Sequence, residues 1–177
     1  MTRSIALVGT SGAGKTSIGR LLADRFGVPF VDVDAEIERR TGLEIREIFA
    51  VHGERHFRDL EREVTVDALG RAGVVSLGGG APMTPAIADA LRRHRVVVWL
   101  QVDPEVAARR IGVDPHRPLL GDGDVAATLT EMLARRGPVY AEVASLVVDT
   151  TARTPEEVVE EVAARVPATA DAGADRA

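Results

Sequence analysis

The chain of 177 residues carries 22 Lys+Arg against 27 Asp+Glu, a net charge of −5, with 45% apolar and 3% aromatic residues and no cysteine. That length holds one domain with a sizeable core and excludes a multidomain machine, while the absence of cysteine excludes disulfides, thiolate metal sites and a Cys nucleophile and fits a reducing cytoplasm. The mild acidity and scarce aromatics argue against a nucleic-acid binder, and the few apolar residues before Gly9 fall short of a signal segment or a membrane span, so a small molecule is the expected partner.

Of the 22 basic residues 21 are arginine, and Lys15 is the only lysine. A lysine kept against that bias points to chemistry a guanidinium cannot replace. The first apolar run, Ile5-Ala6-Leu7-Val8, predicts a buried strand, and Ile18, Leu21, Leu22 and Phe26 predict the core stripe of the helix after it. Between them Gly9-Thr10-Ser11-Gly12-Ala13-Gly14-Lys15-Thr16 matches G-x-x-x-x-G-K-[ST] in the strand, loop, helix setting of a phosphate loop. Backbone N–H groups there can turn around phosphate oxygens, and the helix N-terminus adds partial positive charge. Lys15 is expected to bridge the β- and γ-phosphates and Thr16 to offer its hydroxyl to Mg²⁺. Mg-ATP is the implied cosubstrate, although the loop alone leaves a kinase, an ATPase, a GTPase and a nucleotide-gated switch open. Gly19 is expected to allow close packing and Gly27 to form a left-handed C-cap.

Phe30-Val31-Asp32-Val33 predicts a second strand, continued so that Asp32 and Asp34 share one face and Val31 and Val33 the other. At the carboxyl end of a parallel strand, one carboxylate can hold a metal's water shell and the other can meet a substrate hydroxyl; the competing expectation is that Asp34 caps the next helix. Phe57, Leu60, Val64 and Ala68 mark another core-facing helix, on which Arg58 and Glu61, three apart, can pair as an ordinary surface ion pair would. His52 and His56, four apart, could ligate zinc, but the intervening Glu54 is misplaced for H-E-x-x-H and Gly53 weakens the helix, so solvated or locally bonded histidines are expected.

Val74-Val75-Ser76-Leu77 predicts a third strand, and the Gly78-Gly79-Gly80 run after it predicts close backbone approach to a ligand. Val96 to Leu100 and Leu146 to Val148 predict two more strands, while Thr84-Pro85, Asp103-Pro104 and Thr154-Pro155 read as helix starts, the last with Glu157 completing a capping box. Trp99 is expected in the core, and Arg92-Arg93-His94-Arg95 on a solvated face. Alternating strands and helices with near-continuous apolar strands imply right-handed crossovers and a central five-stranded parallel sheet in a three-layer α/β/α sandwich. The domain is expected over 1–166, with residues 112–123, rich in Gly, Pro and Asp around Arg117, as a lid, and with 167–177 as a disordered tail.

The phosphate loop, Asp32-Val33-Asp34, Phe57-Arg58, Gly78-Gly79-Gly80, Arg117-Pro118-Leu119-Leu120 and Arg136-x-Pro138-x-Tyr140 occur in the order found in shikimate kinases, and from about Ile5 to Val166 the sequence closely resembles that family. The resemblance implies a P-loop NTP hydrolase-like fold of the nucleoside monophosphate kinase type. It implies that Gly12, Ala13, Gly14, Lys15, Thr16 and Ser17 bind ATP, with Arg110 and Pro155 flanking adenine. It implies that Arg58 and Arg136 clamp the shikimate carboxylate, that Asp34 accepts from its hydroxyls as base, and that the Gly78-Gly79-Gly80 backbone closes around it. Thr16 and Asp32 would organise Mg²⁺, and Arg117 would reach the transferring phosphate from a mobile lid. Lys15, Asp34 and Arg117 are thus the expected catalytic set. Arg109 beside Arg110 and Arg135 beside Arg136 leave one-position ambiguities, the second favouring Arg136 by its Arg-x-Pro-x-Tyr spacing.

The resemblance further implies a cytoplasmic enzyme of chorismate and aromatic amino-acid biosynthesis, and no long apolar seam argues against a monomer. Two rivals share the ATP half: another small P-loop kinase, such as one acting on gluconate or on a nucleoside monophosphate, and a non-catalytic nucleotide-binding switch. The acceptor residues suit a small hydroxylated carboxylate better than a base, and every expected catalytic position is present, which disfavours the switch.

Overall fold

The computed structural model describes residues 4–112 and 124–166. Its strands β1 (Ser4–Val8), β2 (Phe30–Asp32), β3 (Gly73–Ser76), β4 (Val97–Gln101) and β5 (Leu146–Asp149) form one sheet in the order β2-β3-β1-β4-β5. Every pairing is parallel. The expected five-stranded sheet is therefore present, and the helices between strands cover both of its faces.

Alternation along β1 divides the core. Ile5 and Leu7 face a cluster closed by α1 (Lys15–Phe26), α5 (Pro104–Ile111) and α7 (Pro155–Arg165), through Ile18 and Leu22, Ala107, and Val158 and Val162. Ala6 and Val8 face the opposite cluster, built on α2 (Val33–Thr41), α3 (Ile45–Leu69) and α4 (Pro85–Arg93) through Val33, Ile37, Val64, Ala68 and Leu91. Helix α6 (Val125–Val143) serves both, with Leu129 in the first cluster and Tyr140 and Val143 in the second.

From β1 the chain crosses toward the β2 edge, and from β3 it crosses back over β1 to β4. Adjacent strands whose connections leave in opposite directions open a crevice at their carboxyl ends. The phosphate loop leaves β1 at that crevice and Gly78-Gly79-Gly80 leaves β3 beside it.

The helix starts form as their sequences dictate. Asp103 accepts from the N–H groups of Glu105 and Val106, and Thr154 and Glu157 exchange both bonds of a capping box; Thr84 is the N-cap of α4 without a side-chain bond. Gly27 takes the left-handed C-cap, and a Cβ at Gly19 would fall 2.5 Å from the Phe30 ring.

One expectation is corrected. Strand β2 ends at Asp32, and Val33 already begins α2, so Asp34 stands in the first helical turn rather than across a strand face from Val33. Nor is Asp34 the cap: Asp32 accepts from the Ala35 N–H. A capping carboxylate followed by acidic residues in the first turn is stabilised by the orphan N–H groups and the helix dipole, while Val33, fully buried, pulls the turn onto the core. Arg40 then clips α2 to α3, donating to Glu36 at 2.7 Å and to Asp67 at 2.9 Å.

Helix α3 breaks at Gly53, whose φ of 80° and ψ of 170° are not helical. His52 and His56 flank the break with ring centroids 4.9 Å apart, both exposed, and no group of three His, Cys, Asp or Glu residues that could hold a metal occurs among the described residues. His94 is less solvated than expected, being partly buried at the end of α4 against the Ser4 hydroxyl, 3.3 Å away.

Candidate active site

A cleft of about 1240 Å³ runs from the phosphate loop to the glycine triplet, lined at one end by Gly12 to Ser17 and Arg110 and at the other by Asp34, Arg58, Gly78 to Gly80 and Arg136. That volume exceeds the usual upper bound of about 1,000 Å³ for one ligand, so two small molecules can share it.

The phosphate loop turns on Gly14, the N-cap of α1, whose φ of 89° lies in the left-handed region that favours glycine. No acidic residue occupies the first turn of α1, which leaves its partial positive charge uncompensated. Lys15 folds back over the loop, its Nζ donating to the carbonyls of Gly9 at 2.8 Å and Thr10 at 2.9 Å. The next residue, Thr16, donates its hydroxyl to Asp32 Oδ2 at 2.8 Å. A hydroxyl and a carboxylate side by side at the mouth of a phosphate loop are hard oxygen donors suited to Mg²⁺.

Beyond the loop, Arg110 donates to the Thr150 hydroxyl at 3.0 Å and to the carbonyls of Thr151 at 3.3 Å and Gly12 at 3.4 Å. It thereby straps the turn before α7 to the phosphate loop. Arg109 turns away to Glu105 on the exposed side of α5, whereas Arg110 lines the cleft. Pro155, first residue of α7, lines the same end of the cleft, as does Arg153, which sequence reasoning missed. Its one signal was adjacency to the Thr154-Pro155 helix start. Glu161 and the Glu157 carbonyl hold its guanidinium.

At the other end the glycines of the triplet meet different side chains. A Cβ on Gly78 would lie 2.9 Å from Glu61 Oε1 and 3.1 Å from Asp34 Oδ1; on Gly79, 3.2 Å from Arg136 Nη1; on Gly80, 3.1 Å from Arg58 Nη1. A backbone without side chains lets two carboxylates and two guanidinium groups approach it together. Of the neighbouring pair, Arg136 lines the cleft and Arg135 is exposed.

Arg58 and Glu61 are more than the surface pair their spacing predicts. Glu61 is 1% exposed and accepts from Arg58 Nη1 at 2.7 Å. Burial pushes the Glu61 carboxyl above the usual range, with the Arg58 bond working against that rise. Burial also disfavours the Arg58 charge, but bonds to Glu61 and Glu54 outweigh it and raise the guanidinium further. Phe57 lies under Arg58 and stacks at 4.7 Å on Phe49, an apolar wall to which sequence reasoning contributed only Phe57. Trp99 packs on Tyr140 with centroids 5.7 Å apart, which gives it the core role expected.

Arg117 and the rest of 113–123 lie outside the described residues, as does the expected tail at 167–177. Gly112, at the start of the expected lid, is the C-cap of α5.

Known proteins share this architecture. The family model described as Shikimate kinase matches residues 11–167. A shikimate kinase of Thermobifida fusca is 48% identical over 166 residues, covering 93% of this chain and 95% of that protein. Among solved structures, shikimate kinase from Acinetobacter baumannii in complex with shikimate superposes with a TM-score of 0.87 at 36% identity, covering 92% of each chain. A gluconokinase from Sinorhizobium meliloti, at 24% identity and a TM-score of 0.55 over 92% of this chain and 90% of that one, shares the fold.

Proposed function

The chain belongs to the shikimate kinase family, and we propose that it transfers the γ-phosphoryl group of ATP to the 3-hydroxyl of shikimate, giving shikimate 3-phosphate and ADP. The observation that carries this reading is the convergence of Asp34, Arg58 and Arg136 on three consecutive glycines. Two planar, bidentate cations suit one small carboxylate, and a carboxylate suits a diol.

In this mechanism Arg58 and Arg136 fix the acceptor by its carboxylate while Asp34 orients the attacking hydroxyl and takes its proton as the O–P bond forms. The phosphate loop from Gly12 to Ser17 cradles the nucleotide, and Arg110 and Pro155 flank its base. Lys15 exchanges its loop carbonyls for phosphate oxygens and, with Arg117, offsets charge on the transferring group. Thr16 and Asp32 would hold Mg²⁺, which when bound neutralises phosphate charge and aligns the phosphates. Closing the acceptor over dry walls such as Phe49 and Phe57 keeps water from competing as nucleophile.

The same reading places the enzyme in the cytoplasm as a monomer in chorismate and aromatic amino-acid biosynthesis. No described helix is long and apolar enough to cross a membrane. The test is ADP release from Mg-ATP with shikimate, with gluconate, with AMP and with no acceptor. Shikimate-dependent release with formation of a monophosphate supports the proposal; release with gluconate or AMP alone overturns the acceptor assignment, and binding of ATP without turnover leaves the switch.

A further inference from the structure

The last side chain of the Arg136-x-Pro138-x-Tyr140 run has no part in the mechanism above, yet it is fully buried, and its hydroxyl donates to the Gly79 carbonyl. Tyr140 is one helical turn beyond Arg136, so both face the same way from α6. Between them, Gly137 and Pro138 are the two poorest helix formers, and Pro138 has no N–H to give the carbonyl of Ala134. The turn that carries Arg136 is thus weakly held by its own helix. Below it the Tyr140 ring rests on the buried Trp99 of β4, so the anchor is tied to the sheet.

A trans peptide points its carbonyl and the following N–H in opposite directions. With the Gly79 carbonyl drawn inward by Tyr140, the Gly80 N–H of the same peptide plane is turned away from the core. A Cβ at Gly79 would meet both Arg136 Nη1, at 3.2 Å, and the Tyr140 hydroxyl, at 3.7 Å, so the loop, the arginine and the phenol form one junction. Burial raises the pKa of the phenol, and the Arg136 charge beside it opposes that rise, so the hydroxyl keeps its proton and remains a donor at neutral pH.

We propose that Tyr140 is a positioning residue for the acceptor: through one hydrogen bond to Gly79 and its place one turn from Arg136, it sets the glycine triplet and the carboxylate clamp in register. This rests on the acceptor assignment of the preceding section. The bond is worth about 1 kcal/mol, which corresponds to about a fivefold change in affinity.

The test is Tyr140→Phe, which keeps the ring on Trp99 and removes only the hydroxyl. Steady-state kinetics with shikimate and ATP varied separately are expected to show an acceptor KM raised about fivefold or more, with the ATP KM and the melting temperature close to those of the parent chain. An unchanged acceptor KM in the folded variant overturns the proposal, and so does a parallel rise in both KM values, which would mark general loosening. Should Tyr140→Phe not fold, Trp99→Phe, which leaves the hydroxyl in place on a smaller support, is read the same way: a selective rise in acceptor KM supports the role and its absence overturns it. The parent chain serves as the control for the acceptor itself. If it does not turn over shikimate, the functional reading fails; if it does and the variants behave like it, only the role of Tyr140 fails.

Discussion

Arg58 Nη1 lies 2.7 Å from Glu61 Oε2, and of the two side chains the carboxylate is the more deeply buried, 2% exposed against 30%. Glu61 therefore cannot be solvated if its partner is removed. Arg58→Ala is expected to raise the acceptor KM and also to cost stability toward the lower end of the roughly 3–5 kcal/mol lost when one member of a buried pair is deleted. Adding Glu61→Gln to it should restore much of the stability and none of the acceptor affinity. Urea denaturation beside steady-state kinetics separates the two effects, and an unchanged acceptor KM in Arg58→Ala would remove Arg58 from the clamp.

The same pair predicts a pH dependence. Because the carboxyl of Glu61 is raised by burial, the folded chain binds its proton more tightly than the unfolded chain does. The cost of holding this charge is present at neutral pH and is relieved as pH falls through the raised pKa. Protonation there weakens the support of Arg58, so the acceptor KM should climb on acidification at a pH above the ordinary glutamate value of 4.5. Glu61→Gln should flatten that part of the profile, and a KM profile identical to the parent's would contradict the assignment.

Lys15→Met removes the only ammonium side chain in the protein. A drop in kcat of about a hundredfold or more is expected, in line with deletion of one transition-state donor. The fold should be kept with a modest fall in melting temperature, because Gly9 and Thr10 are buried and their carbonyls lose a partner, while Thr10 still accepts from the Ala13 N–H. Near-normal turnover would exclude Lys15 from catalysis.

Asp32 accepts from both the Thr16 hydroxyl and the Ala35 N–H, and a single substitution separates its proposed metal role from its capping one. Asp32→Asn keeps a side-chain oxygen for the Ala35 N–H and loses the charge beside Thr16, so helix stability should be retained while the Mg²⁺ concentration needed for half-maximal rate rises. Chelation should abolish turnover in the parent chain and added Mg²⁺ restore it. An unaltered metal requirement in Asp32→Asn would place the ion elsewhere.

Thr65, fully buried on α3, has a hydroxyl with no hydrogen-bond partner. Thr65→Val replaces it with a methyl group of the same shape and is expected to raise stability by about 1 kcal/mol without touching activity. Thermal unfolding followed by circular dichroism checks this.

Much of the ATP half was legible because its chemistry is local. A phosphate loop is consecutive residues between a strand and a helix, so spacing alone brings Gly14, Lys15 and Thr16 together. The acceptor half draws on α2, α3, the turn after β3 and α6, and no periodicity places Gly78 beside both Asp34 and Glu61. Resemblance supplied Asp34, Arg58 and Arg136, whereas which side chain meets which glycine, and the place of Glu61 among them, required the fold. Asp34 was misplaced because Val31-Asp32-Val33-Asp34 alternates like a strand, while Val33 satisfies a helix facing the core equally well. Burial of Glu61 was invisible for the same reason: i, i+3 spacing looks alike on a wet face and a dry one.

The break at Gly53 divides the work of α3. Residues after it pack on the sheet and carry Arg58 and Glu61, whereas residues before it bring Arg46, Phe49 and Ala50 to the cleft. With φ near +80° and ψ near 170°, this position belongs to a region that essentially only glycine occupies. Any other residue would be strained at these angles and would favour continuing the helix, which would shift the residues before the break relative to those after it. The relative placement of Arg46, Phe49 and Ala50 on one side of the cleft and Arg58 and Glu61 on the other thus runs through the backbone of one residue that does not itself line it, and reshaping that end of the cleft could begin with this angle as well as with the side chains of its walls.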